Sequence, residues 1–190
     1  MSPIEVFAAD EQSAEPVDAF RLSELAREVL GAQGVRGDAE LSVLFVDEVA
    51  MAELNLRFLS REGPTDVLAF PIDEDELIEP GPRSPDSLGP GPVDEPEPSD
   101  IPRLLGDVVV CPAVAKRNAP DHAGTYADEM ALLVVHGVLH VLGMDHDSGP
   151  EAEAMEKREQ ELLDRFHRKS APPDPPDADS PQTTPTGGTG

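Results

Sequence analysis

The chain has 190 residues, enough for one domain with its own core, and it lacks any run of eighteen apolar residues, which excludes a helical membrane span. Its start shows no basic segment followed by an apolar core, and its single cysteine, Cys111, excludes an internal disulfide; the expectation is a cytoplasmic protein. A formal charge of −25 excludes broad electrostatic attraction to nucleic acid, so any RNA contact requires a local basic site or a bound cation.

Residues 4–8 form a short apolar run of strand character. Asp18 is placed to cap a helix through residue 33, along which Phe20, Leu22, Leu25, Ala26, Val29 and Leu30 recur at helical spacing; Gly31 or Gly34 supplies the stop. Residues 41–46 are apolar and rich in strand formers, which predicts a buried strand. Asp47 then caps a helix over 48–59 whose packed face is Met51, Leu54 and Phe58, with Arg57 near its end and Arg61 beyond. Gly63-Pro64-Thr65-Asp66 reads as a turn into a strand over 67–70.

Residues 73–103 break this pattern. They concentrate acids first, then proline and glycine, with no sustained apolar period, so they are expected to be a flexible excursion joining two strands of a hairpin-like pair. A strand resumes over 104–111, and Pro112 suits the first turn of a helix to Asn118. Cys111 reads as a small buried hydrophobe in preference to a ligand or nucleophile. His122 falls in a loop over 119–124 and receives no role. Thr125, with Asp128 three positions on, opens the next helix as a capping box. From 130 to 142 that helix is apolar nearly all round, which predicts the buried centre of the domain. A last helix over 151–167 carries Ala154, Met155, Leu162, Leu163 and Phe166 on a charged background, and the composition of residues 169–190 predicts a disordered tail.

Three of the five histidines lie in the central stretch His-Gly-Val-Leu-His-Val-Leu-Gly-Met-Asp-His, residues 136–146. His136 and His140, four apart on a helix, direct their rings to one side, and Gly143 offers the left-handed conformation that turns the backbone so His146 can return to the same point. Three imidazoles with a fourth tetrahedral position open are the donor set of a catalytic zinc site. The spacing matches the long zincin signature except at position 137, where glycine replaces the protease's general-base glutamate. Buried imidazoles also need acceptors on their second nitrogens, for which Asp145 and Asp147 are the nearby candidates.

The same stretch resembles the H-G-x-L-H-x-x-G-x-D-H signature of the YbeY family of endoribonucleases. Pro64-Thr65-Asp66-Val67-Leu68-Ala69-Phe70-Pro71 and Leu105-Gly106-Asp107-Val108-Val109-Val110-Cys111 resemble two further segments of that family, in the same order. The resemblance covers roughly residues 3 to 166. It departs in three places: Ala69 stands where the family has serine, Leu59 stands where it has an arginine, and the 73–103 segment is longer than the usual connection. Arg57, two positions before Leu59, is the candidate replacement for that arginine.

The element order predicts a single α+β domain over 1–168: a small mixed sheet packed with helices, with a buried central helix carrying the metal ligands. The resemblance implies a zinc-dependent, single-strand-specific endoribonuclease with one Zn²⁺ per chain held by His136, His140 and His146. It implies roles in 16S rRNA 3′-end maturation and 70S ribosome quality control, with rRNA, the small ribosomal subunit and its associated factors as partners and no membrane. Arg57, Asp66 and Asp145 are the candidate catalytic residues; the general base stays open among Asp66, Asp145 and the ion's own hydroxide, and the nucleophile stays open between water and the RNA 2′-hydroxyl. The rival readings are a non-catalytic ribosome assembly factor with structural zinc and a metalloprotease, the latter disfavoured by the missing glutamate.

Overall fold

The computed structural model describes residues 4–72, 102–144 and 150–168. Within them the chain runs β1 (Ile4–Asp10), α1 (Ala19–Ala32), β2 (Ala39–Phe45), α2 (Glu48–Leu59), β3 (Val67–Pro71), β4 (Arg103–Val110), α3 (Pro112–Asn118), a 3-10 turn at Ala119–Asp121, α4 (Tyr126–Val141) and α5 (Pro150–Phe166). The sheet order is β1-β2-β4-β3. β1, β2 and β4 are parallel, and β3 runs antiparallel on the outer edge of β4, so the fold is α+β with one mixed sheet. β3 and β4 are the hairpin-like pair that flanks the acidic excursion, most of which lies outside the described residues, as does the predicted tail.

Alternation along the strands divides the interior between the two sheet faces. Ala39, Leu41, Val43 and Phe45 of β2 and Val108 and Val110 of β4 point into the larger core, where α1, α4 and α5 cover the sheet. Leu68 and Val109 point the other way and meet Val46, Met51, Cys111 and Val114 beneath α2 and α3. Cys111 is fully buried there, and burial pushes its thiol above the ordinary value, which keeps it protonated and unreactive.

Local chemistry sets most of the boundaries. Asp18 Oδ1 accepts from the Arg21 N–H at 3.0 Å and Asp47 Oδ1 from the Ala50 N–H at 2.8 Å, each satisfying an amide that the first helical turn leaves without a partner. α1 runs through Gly31, so it is Gly34, at φ +88°, that turns the chain away. Phe20, counted on the apolar face of α1, is 76% exposed. It lies two residues before Leu22, a rotation of about 200° on a helix, so the sheet-facing stripe leaves it on the opposite side. Ala154 of α5 is likewise exposed, and the stripe that packs is Met155, Glu159, Leu162 and Leu163.

The central helix is buried along most of its length and packs against β3, β4, α1, α3 and α5. Thr125 Oγ1 accepts from the Asp128 N–H at 3.1 Å at its start. At its end the Gly143 N–H donates to the His140 carbonyl and the Met144 N–H to the Leu139 carbonyl, a Schellman closure made with Gly143 at φ +83°. The helix therefore ends at Val141, one residue past His140.

Candidate functional site

α4 and the edge strand β3 bound an open cleft of about 610 Å³, with the end of α2 at its mouth. His136 and His140 lie on one wall, and the strand residues from Val67 to Pro71 form the other. Two contacts hold these walls in place. Asn55, buried on α2, donates from Nδ2 to the Gly63 carbonyl at 2.8 Å and so ties α2 to the turn that leads into β3. Gly137 presses α4 onto β4: a Cβ added there would sit 2.5 Å from Val108 Cγ1. That close approach explains why glycine stands where a zincin has its glutamate, since the backbone reaches the sheet before any side chain could be fitted.

The two imidazoles face one another. Their Nε2 atoms are 3.0 Å apart, with ring centroids at 4.5 Å and planes inclined by 71°. Two nitrogens bound to one tetrahedral zinc at 2.0–2.1 Å would be separated by about 3.3 Å, so the pair meets the donor spacing with an adjustment of a few tenths of an ångström. Behind the cleft, His136 Nδ1 lies 2.5 Å from Oε1 of Glu159, a buried carboxylate on α5. With Nδ1 donating to Glu159, a neutral His136 presents an unprotonated Nε2 toward His140, the form a metal requires.

His146 and Asp145, and with them Asp147, lie outside the described residues, so the structure brings together two of the three predicted ligands. The acceptor found for His136 is Glu159, which the sequence reading missed. Its signal was present: Glu159 falls four residues after Met155 and three before Leu162, a carboxylate within the apolar stripe of α5.

Asp66 opens onto a separate cavity on the far side of His136, shared with His122, Glu156 and Glu159. Its Oδ1 accepts from the Val67 N–H at 2.8 Å and from Thr65 Oγ1 at 3.3 Å, and its Oδ2 accepts from Asn118 Nδ2 at 3.2 Å. Arg57 does not line the cleft. α2 continues past it to Leu59, and its guanidinium lies over the ring of Phe58, 5.4 Å from the centroid. Leu59 and Phe58 line the cleft instead. Phe58 is on the same helical face as Met51 but 53% exposed, because it lies at the end of α2, where its ring meets the edge-strand residue Phe70 at a centroid distance of 4.9 Å.

His122, left without a role by the sequence reading, is bound to Glu129. Its Nδ1 lies 3.0 Å from Oε1 and 3.1 Å from Oε2 of a carboxylate that is wholly buried in the first turn of α4, and the Ala123 N–H donates to Oε2 as well. The hydrogen bond to Glu129 raises the His122 pKa above its usual value against the opposing effect of burial, with the charges of Glu129, Asp66 and Glu159 adding to the rise.

Fold and site together define an α+β protein with a paired-histidine cleft between its central helix and an antiparallel edge strand. The family model described as Endoribonuclease YbeY matches residues 7–167. An Endoribonuclease YbeY of Mycolicibacterium vanbaalenii is 43% identical over 82% of this chain and 77% of its own, and that of Thermobifida fusca is 44% identical over 83% and 91%. That of Frankia alni is 44% identical over 83% and 80%. A solution structure of a Thermotoga maritima protein is similar at a TM-score of 0.48 and 24% identity, covering 96% of this chain and 99% of that one. The chain belongs to the YbeY endoribonuclease family.

Proposed function

We propose that the protein is a zinc-dependent endoribonuclease that cuts single-stranded RNA, with one zinc ion per chain held by His136, His140 and His146. In this reading it acts in the cytoplasm on ribosomal RNA, in 16S 3′-end maturation and 70S quality control, with the small ribosomal subunit and its factors as partners. The observation that carries the reading is the Nε2 pair of His136 and His140 at 3.0 Å, with Glu159 engaging His136 from behind. When bound, zinc supplies Lewis acidity toward the phosphodiester and toward water.

The chain's own residues prepare the site. Glu159 fixes the tautomer of His136 and keeps its Nε2 lone pair directed to the cleft. Gly137 holds α4 close to β4, and the strand from Val67 to Pro71 gives the substrate an extended wall. The charge pattern suits a polyanion: in a chain of net charge −25, no carboxylate lines the cleft among the described residues, whereas Asp66, Glu156 and Glu159 lie on the opposite side of His136. Asp66 has hydrogen-bond donors on both oxygens and so shapes the turn into β3. Asp66 and Asp145 are the two carboxylates this reading offers for proton transfer.

The deciding experiment uses the purified protein and His140→Ala, with bound metal measured and single-stranded RNA, duplex RNA and peptide offered with and without chelator. Cleavage of single-stranded RNA that is lost on chelation and in the variant is the expected result. Cleavage that persists equally in His140→Ala overturns the assignment. A zinc-loaded protein that cuts nothing but binds ribosomal subunits selects a non-catalytic assembly factor, and peptide cleavage selects a protease.

A further inference from the structure

We infer that Phe58, at the mouth of the histidine cleft, stacks an unpaired nucleobase of the bound RNA, with Arg57 beside it to meet an adjoining phosphate. The inference rests on the RNA-cleaving reading of the same cleft and assigns the subsite that holds the strand. The chain has six phenylalanines, one tyrosine and no tryptophan, and two of those few aromatic rings, Phe58 and Phe70, meet at this cleft.

Three features point to a base as the occupant. Phe58 is 53% exposed, yet its ring is held by Phe70 at a centroid distance of 4.9 Å and an interplanar angle of 64°, so it is an ordered aromatic left largely to solvent. The lining around it, Leu59, Leu68, Ala69 and Pro71, is apolar and contributes no charge, which suits the face of a base better than a phosphate. The cation stands just outside: the Arg57 guanidinium lies 5.4 Å from the ring centroid and has no carboxylate partner among the described residues, in contrast to Arg117, paired with Glu48 at 2.6 Å, and Lys116, paired with Glu15 at 2.6 Å. An aromatic face flanked by an uncompensated arginine is the arrangement by which single strands are gripped without sequence readout. It also favours unpaired RNA, because a base already stacked in a duplex has no free face to offer.

The test uses the full chain in its metal-loaded form, a short single-stranded RNA carrying one 2-aminopurine moved along the sequence, and the same RNA with an abasic ribose at the responsive position. We expect fluorescence quenching at one register on binding to the wild type. Phe58→Ala and Phe58→Leu, the second retaining apolar packing against Phe70, should abolish the quenching and weaken binding roughly tenfold, while Phe58→Tyr keeps both. Abasic RNA should bind wild type and the Phe58 variants alike. Arg57→Gln should lower the slope of log affinity against log salt by about one phosphate contact. Phe58→Leu that binds intact RNA as wild type does, or that loses the same affinity for intact and abasic RNA, overturns the subsite, and so does a wild type that binds no RNA. Quenching and binding without cleavage uphold the subsite and sink the endonuclease reading, whereas cleavage indifferent to Phe58 sinks the subsite alone.

Discussion

His136 and Glu159 stand on different helices, 23 residues apart in sequence, and meet with 2.5 Å between Nδ1 and Oε1. Glu159 is 7% exposed, so this carboxylate has left water to engage one imidazole. Such contacts fix ring orientation and raise the basicity of the other nitrogen, and their loss typically costs a metal site about 10–100-fold in affinity. Glu159→Gln, which retains shape but not charge, is expected to weaken zinc binding within that range when measured by competition with a chromophoric chelator. Unchanged affinity with unchanged thermal stability would remove Glu159 from the metal's support.

Gly137 and Val108 mark a close approach of α4 to the sheet. Alanine favours a helix over glycine by about 1 kcal/mol, which argues for stabilisation by Gly137→Ala. The clash argues against it: the new Cβ would meet Val108 Cγ1 at 2.5 Å, on a stiff β-branched side chain that is fully buried. Overpacking of this kind costs about 1–3 kcal/mol, so the steric effect is expected to win. Urea denaturation should give a net loss of up to about 2 kcal/mol for Gly137→Ala. A favourable coupling of about 0.5 kcal/mol or more is expected when Val108→Ala is added. A stabilised Gly137→Ala would show that the helix does not sit this close.

His122 and Glu129 make stability depend on pH in a defined direction. Because Glu129 holds the His122 pKa above its ordinary value of 6.5, the contribution of the pair is fully present below that value and is lost as pH rises through the higher folded value. The imidazole is 60% exposed, so solvent screens the effect and only a modest change in melting temperature is expected. The difference in Tm between wild type and His122→Ala should be greatest near pH 5.5 and shrink by pH 8.5. A difference that grows with pH would reverse the assignment.

The parts of this architecture that announce themselves locally were legible in the sequence. α2 and α3 begin and end where Asp47, Leu59, Pro112 and Asn118 put them, and the Schellman closure at Gly143 follows from one glycine after an apolar helix. The facing rings of His136 and His140 follow from an i,i+4 spacing. What stayed hidden depends on partners distant in the chain. Glu159 and Glu129 are two of 39 acidic residues; Glu159 is set apart by its place in the apolar stripe of α5, but the pairing of these carboxylates with His136 and His122 emerges only when α5 and the His122 turn fold against α4. Phe58 follows the stripe of Met51, and its ring is exposed because it lies in the last turn of α2. The strand order, with β4 between β2 and β3, is a product of non-local pairing that no window of sequence contains.

The wall of the cleft opposite the histidines depends on Gly106. On β4 the register slips between the partners of Glu40 and Leu41, leaving Leu105 as an inserted residue, and Gly106 follows at φ +144°. A Cβ on Gly106 would lie 2.2 Å from the Phe70 carbonyl oxygen and 3.1 Å from Pro71 Cα, both backbone atoms that cannot rotate aside. Gly63 is a contrasting case, with φ +85° but nothing within 4 Å of its added Cβ. Gly63→Ala is therefore expected to cost only the backbone strain, about 1–2 kcal/mol. Gly106→Ala adds steric exclusion to strain, about 3 kcal/mol or more in total, and must push β3 outward. Chemical denaturation of the two variants, with amide hydrogen exchange across 67–71, separates these effects. Faster exchange along β3 should appear in Gly106→Ala alone, and equal costs for the two substitutions would show that β3 does not pack against Gly106 as closely as described.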